Sequence, residues 1–225
     1  MEIQPGVTAI AGDSGAGKSS LLNLLVGFER PDTGRVVCHC SAAAGQLGVY
    51  WLPPGDGLWG HLTVRQHLET VRPPAADPVL IDQLLTRFDL QNLYQAWPDD
   101  LSQGERARLA MARALASHAK VLVLDEPLVH TSLLRQPAYW QIVRDWCSQT
   151  DTSLVFASHD LKLIAREADW LLVLDEGRLA YSGPLKTPLQ PLVSSHAGEL
   201  LHSILRHREE ELKTGTLAKQ NRDSA

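Results

Sequence analysis

Gly12-Asp13-Ser14-Gly15-Ala16-Gly17-Lys18-Ser19 follows directly on the apolar run Val7-Thr8-Ala9-Ile10-Ala11, and the fold is decided there. The spacing fits G-x-x-x-x-G-K-[ST], a glycine loop set between a buried strand and a helix. Glycines let the backbone curl until successive N–H groups point inward and form an anion nest. The helix that begins near Gly17 adds the positive end of its dipole. Lys18 then reaches the outer phosphates of a nucleotide, and the Ser19 hydroxyl is placed for Mg²⁺. The phosphate-binding set is Gly12, Asp13, Ser14, Gly15, Ala16, Gly17, Lys18, Ser19 and Ser20. The plainer alternative is an ordinary glycine-rich turn.

Outward from the loop, apolar strands alternate with amphipathic helices, the pattern of a largely parallel sheet flanked by helices. Lys18–Gly27 reads as a helix, Arg35–Cys40 as a strand, Ser41–Gly45 as a loop and Leu47–Leu52 as a strand. From Thr63 to Ala96 the period is helical, broken by Pro73-Pro74. Strands return at Val121–Leu124, Ser153–Ala157, Leu171–Leu174 and Gly177–Ser182, and Arg206–Ala225 reads as a solvated helix fraying into a tail. Trp51, Trp97, Trp140, Trp146 and Trp170 occupy positions that read as core.

The chain has 225 residues, 44% of them hydrophobic and 21% charged, with a formal net charge of −5. That is enough length for a substantial core, and the negative balance argues against nucleic acid as a partner. No apolar run approaches the length of a membrane span. Met1–Pro5 runs straight into the first strand, so no secretory leader is expected. Three cysteines make no disulfide framework and point to a reducing cytoplasm. Cys38-His39-Cys40 has tighter spacing than a zinc site uses, and reads as two inward thiols on a strand.

Three further stretches carry chemistry. Val121-Leu122-Val123-Leu124-Asp125-Glu126 is a buried strand ending in two carboxylates. Asp125 suits Mg²⁺, partly through water, and Glu126 suits the attacking water. The bland reading of the pair is a hydrated cap. Leu154–Asp160 again ends a strand in polar groups, with His159 where a terminal phosphate would lie. Leu101-Ser102-Gln103-Gly104-Glu105 opens a helix, and Ser102-x-x-Glu105 is a capping box. A capped helix start is also an anion site.

Taken together, these motifs resemble the ATP-hydrolysing subunit of ATP-binding cassette (ABC) transporters. Gly12–Ser19 is similar to the Walker A loop, Leu101–Glu105 to the LSGGQ signature, Val121–Glu126 to Walker B and His159 to the switch histidine. The resemblance runs in order from Gly6 to Pro184. It implies an α/β P-loop NTPase (RecA-like) core over 1–54 and 118–190, and a helical lobe over 55–117. The domain would be 1–205 with a polar tail over 206–225, and its early antiparallel strands would be truncated. Lys18, Glu126 and His159 would be catalytic, with ATP and Mg²⁺ bound. The signature residues would act in trans, in a head-to-tail homodimer or a heterodimer with a second ABC ATPase. A membrane permease would dock against Leu58, Trp59 and His61, holding the chain at the inner face of the cell membrane.

Departures from the family pattern temper this. Pro54 stands where a Mg²⁺-sensing glutamine is usual, and Val129-His130-Thr131-Ser132 replaces Ser-Ala-Leu-Asp. Hydrolytic residues survive while coupling residues do not, so a reduced rate is expected. The alternative is a regulatory nucleotide-binding subunit with impaired hydrolysis or coupling.

Overall fold

A computed structural model describes residues 1–40, 42, 46–185 and 196–222. The chain begins with β1 (Val7–Ala11), α1 (Lys18–Leu25), β2 (Val49–Leu52), α2 (Val64–Val71) and α3 (Val79–Arg87). Next come α4 (Gln103–Ala116), β3 (Val121–Asp125), α5 (Gln136–Thr150) and β4 (Ser153–Ala157). It closes with α6 (Leu161–Glu167), β5 (Trp170–Asp175), β6 (Arg178–Pro184) and α7 (His196–Arg222). Two compact units divide it, one formed by 1–19 with 157–225 and the other by 20–156. No helix among the described residues is long and apolar enough to cross a membrane.

In the first unit β5 lies between β1 and β6. β1 runs parallel to β5, with Thr8 beside Trp170 and Ala11 beside Val173, while β6 returns antiparallel. Ala9, Ile10, Leu171, Leu172 and Val173 are fully buried. This explains why both strands are continuous apolar runs without alternation. α7 is tied to α6 by Arg208, whose guanidinium donates at 2.7 Å to the carbonyls of Ala165 and Ala168. Those carbonyls lie at the C-terminal end of α6, where unsatisfied acceptors collect and a cation is favoured.

In the second unit β3 lies between β2 and β4, and β2 runs parallel to it with Val49 beside Val121 and Leu52 beside Leu124. The Trp140 ring of α5 meets Phe156 of β4 at 4.9 Å, and both are fully buried. α4 starts at the expected capping box: the Glu105 amide donates to Ser102 Oγ, and Glu105 accepts from the Ser102 amide at 2.8 Å. Such a cap contributes about 1 kcal/mol. Burial of Leu109, Met111 or Leu115 is each worth about 2 kcal/mol. The cap sets where α4 begins, and its buried face holds it.

Three expectations need correction. Arg35–Cys40 forms no strand; no described strand pairs with it, and Val36 and Val37 are exposed. Cys38 and Cys40 are joined in a disulfide instead of lying as two inward thiols. Without a neighbouring strand to hold them apart, side chains one residue removed are free to meet. Of the tryptophans read as core, Trp140 and Trp146 are buried, Trp51 and Trp170 are half-buried, and Trp97, just before a short 3-10 turn over Pro98–Asp100, is 47% exposed. The predicted loop Ser41–Gly45, apart from Ala42, and the tail end 223–225 lie outside the described residues.

Candidate nucleotide site

The glycine loop leaves β1 with Gly12 at φ 154°, packed so closely that a Cβ would lie 2.5 Å from the Leu174 carbonyl oxygen. Gly12 and Ala16 are buried, whereas Asp13, Ser14, Gly15, Ser19 and Ser20 face outward. The Ala16 amide donates to the Asp13 carbonyl at 3.1 Å, and the Gly177 amide donates to the Ala16 carbonyl at 3.2 Å. Lys18 is only 7% exposed. Its ammonium donates to the Gly12 carbonyl at 2.8 Å and the Asp13 carbonyl at 3.0 Å. It also lies 3.4 Å from His159 Nδ1. A buried ammonium costs much unless it is paired. Here the Gly12 and Asp13 carbonyls supply the pairing.

His159 stands just past β4 and is exposed. The next residue, Asp160, caps α6 by accepting from the Lys162 and Leu163 amides. That cap fixes the backbone from which His159 projects. The sequence did not announce a further contact of the loop: His196 Nε2, at the start of α7, lies 2.7 Å from Asp13 Oδ2.

The second unit holds the remaining predicted residues. Asp125 ends β3 at 5% exposure, and its Oδ2 is a buried oxygen with no hydrogen-bond partner among the described residues. A buried acceptor left this way suits a cation. Glu126 follows in the left-handed region at φ 47°, and Leu128 repeats this at 61°. Leu101 is buried, whereas Ser102 and Gln103 are exposed at the start of α4. A Cβ on Gly104 would sit 3.0 Å from the His130 carbonyl oxygen. Thr131, inside the atypical Val129–Ser132 stretch, is buried and donates to the Leu128 carbonyl at 2.7 Å.

Leu58 is half-buried, and Trp59 and His61 are exposed. Trp59 is held by two neighbours. Arg113 lies over its ring at 4.6 Å and His67 stacks on it at 5.5 Å. Arg113 also donates to the Gly57 and Asp56 carbonyls at 2.9 and 3.0 Å. Sequence reasoning missed both partners. The available signal was a lone Arg113 among Ala110, Ala112, Ala114 and Ala116, all of which are buried.

His67 must be neutral to play this part. Its Nε2 accepts from the Trp59 amide at 2.9 Å, and its Nδ1 lies 2.7 Å from the Thr63 carbonyl, which only a donor can satisfy. Burial holds its pKa below the ordinary histidine value, helped by the Arg113 charge. His118 is also lowered by burial. The unfolded chain therefore takes up protons first. Stability is complete above about pH 6.5 and falls as pH drops through the interval below it, by at most about 1.4 kcal/mol per pH unit for each proton. Urea unfolding at pH 7.5 and 5.5 should show that loss for wild type and a smaller one for His67→Gln. Equal losses in the two proteins would remove His67 from the account.

A family model described as ABC transporter matches residues 1–129. A molybdenum import ATP-binding protein of Methylococcus capsulatus is 34% identical over 222 residues, covering 91% of this chain and 62% of that protein. The chain thus spans about three fifths of the length of such molybdenum relatives. A thiamine import ATP-binding protein of Yersinia pseudotuberculosis is 34% identical over 194 residues, 82% of each chain. A solved ATP-binding subunit of an ABC transporter superposes with a TM-score of 0.70 at 20% identity, over 80% of this chain and 79% of that one. At that identity the likeness speaks for the P-loop α/β fold alone. Since the model runs from the first residue past the β3 carboxylates, and the Yersinia relative matches four fifths of both chains, the chain belongs to the ABC transporter family.

Proposed function

We propose that this chain binds and hydrolyses ATP to drive transport through a membrane permease. The observation that carries the reading is the buried Lys18 ammonium, held on the Gly12 and Asp13 carbonyls within reach of His159. An incoming phosphate exchanges those neutral acceptors for charged ones, and charge-assisted bonds are about twice as strong. The amides of Gly12–Ser20 cradle the phosphates. His159 hydrogen-bonds the terminal phosphate, and Glu126 orients the attacking water.

Asp125, with its unpartnered buried oxygen, and the Ser19 hydroxyl would hold Mg²⁺. A cation held there would offset charge on the outer phosphate oxygens. Leu101–Glu105 serve a second cassette in trans, the partner being another copy or a related ATPase. The helical lobe over 55–117 carries the permease contact, and the chain works at the inner face of the cell membrane. Relatives named for molybdenum and thiamine import favour import over export.

Trp59 anchors the permease contact in this reading, pre-organised by Arg113 and His67. Rigid aromatic anchors of this kind dominate docking energetics. ATP turnover should rise when the permease is added to wild type, and that stimulation should be lost in Trp59→Ala. Stimulation that survives the change moves the docking surface elsewhere. A regulatory subunit with weak hydrolysis is the second reading, favoured by Pro54, which offers no hydrogen bond where a glutamine is usual. Wild type that binds ATP yet releases no phosphate, alone or with permease, would decide for it.

A further inference from the structure

The Cys38–Cys40 disulfide has no place in nucleotide chemistry. Only His39 separates the two cysteines, and their Cα atoms are 5.4 Å apart. Cys38 and His39 are exposed on a segment without secondary structure. A bridge closing so short a loop removes little entropy from the unfolded chain, so it is a poor staple for the fold. Its accessibility instead makes it easy to open. Cys147 provides a contrast: it is buried, and burial pushes its thiol up to about 11.

We propose that Cys38 and Cys40 form a reversible two-electron redox site that exchanges with low-molecular-weight thiols. A thiolate attacks the exposed Cys38 Sγ, the S–S bond breaks, and its electron pair leaves on Cys40 Sγ. A second thiolate attacks the external sulfur of the mixed disulfide and releases Cys38 as thiolate. Two external thiols become one disulfide, the protein bridge becomes two thiols, and the external thiols supply the two protons. With oxidised thiol in excess the same steps run backwards.

Geometry favours Cys38 as the point of attack. Cys40 is half-buried, its Sγ 3.4 Å from where a Gly48 methyl would stand. The Cys40 amide donates to Cys38 Sγ at 3.4 Å, which assists the second step, where Cys38 leaves the mixed disulfide as thiolate. Because one residue links the pair, the thiols stay close after reduction and re-closure is intramolecular.

The test equilibrates the full chain in glutathione buffers graded from reduced to oxidised, quenches with acid, and alkylates the denatured protein for intact mass. Alkylation should fall in one step from all three cysteines to Cys147 alone. In oxidised glutathione, Cys40→Ser should gain one glutathione on Cys38 at least about tenfold faster than Cys38→Ser gains one on Cys40. An alkylation count that stays constant across all buffers overturns the site, and equal rates in the two variants overturn attack at Cys38.

Discussion

Glu126→Gln should lower ATP turnover about a hundredfold or more, while ATP affinity should stay within a few-fold of wild type. The amide keeps the size and most hydrogen bonds of the carboxylate but loses its charge and basicity, so only the role toward water is removed. The backbone shows why the carboxylate is worth holding. A non-glycine residue at φ 47° costs about 1 kcal/mol or more. It persists because the next turn is over-determined: the Leu128 carbonyl accepts from the Thr131 amide at 3.0 Å, Thr131 Oγ1 at 2.7 Å and Gln136 Nε2 at 3.3 Å. Steady-state phosphate release and retention of labelled ATP on the same preparation are the readouts. Turnover within twofold of wild type would move the water-orienting role to another residue.

The turn that follows Glu126 contains Val129–Ser132, one of the stretches that depart from the family pattern. Thr131 and Gln136 bond to Leu128, so local sequence at 128–136 has been spent on holding this turn. Of the four atypical residues, Thr131 is thus part of this turn. Val129, Leu133 and Leu134 are exposed, however, and these apolar side chains alter what this edge presents to a partner.

What could be read in advance followed from local rules. β1, β3, β4 and β5 were legible because each is a buried apolar run bounded by turn residues. The start of α4 was legible because Ser102 and Glu105 satisfy each other's amides within one turn. The approach of His159 to Lys18 was legible only through strand ends, since 141 residues separate them. Failures came where the outcome depends on a neighbour. Arg35–Cys40 has the composition of a strand but no partner among the described residues, and a strand without a ladder is not one. Trp97 is aromatic, yet nearly half of it stays exposed. The Trp59 clamp joins residues from α2, α4 and the loop before them, which no periodicity connects. The His196–Asp13 pair likewise joins the two ends of the chain.

Gly12→Ala is expected to harm both stability and nucleotide binding, and more than the same change three residues on. At Gly12 the added methyl would meet the Leu174 carbonyl oxygen at 2.5 Å and Ala16 Cβ at 3.0 Å. The first is backbone, so no side chain can turn aside to relieve it. β1 and β5 are in register up to Ala11 and Val173, and the β5–β6 register shifts between Val173 and Leu174. The methyl therefore pries at the point where the strands open into the loop. Relief moves the Gly12 carbonyl, which holds Lys18 at 2.8 Å. Overpacking costs about 1–3 kcal/mol, and the glycine-favouring φ adds about 1 kcal/mol more. At Gly15 nothing lies within 4 Å and only φ 85° resists the methyl, so Gly15→Ala should cost only about 1 kcal/mol. Chemical denaturation of the two variants, alongside titration with a fluorescent ATP analogue, separates the effects. Affinity should drop more than about tenfold in Gly12→Ala, since a displaced Lys18 loses about 1.4 kcal/mol or more of phosphate contact. A Gly12→Ala protein as stable as Gly15→Ala, with affinity intact, would mean that the close approach to Leu174 does not shape the cradle.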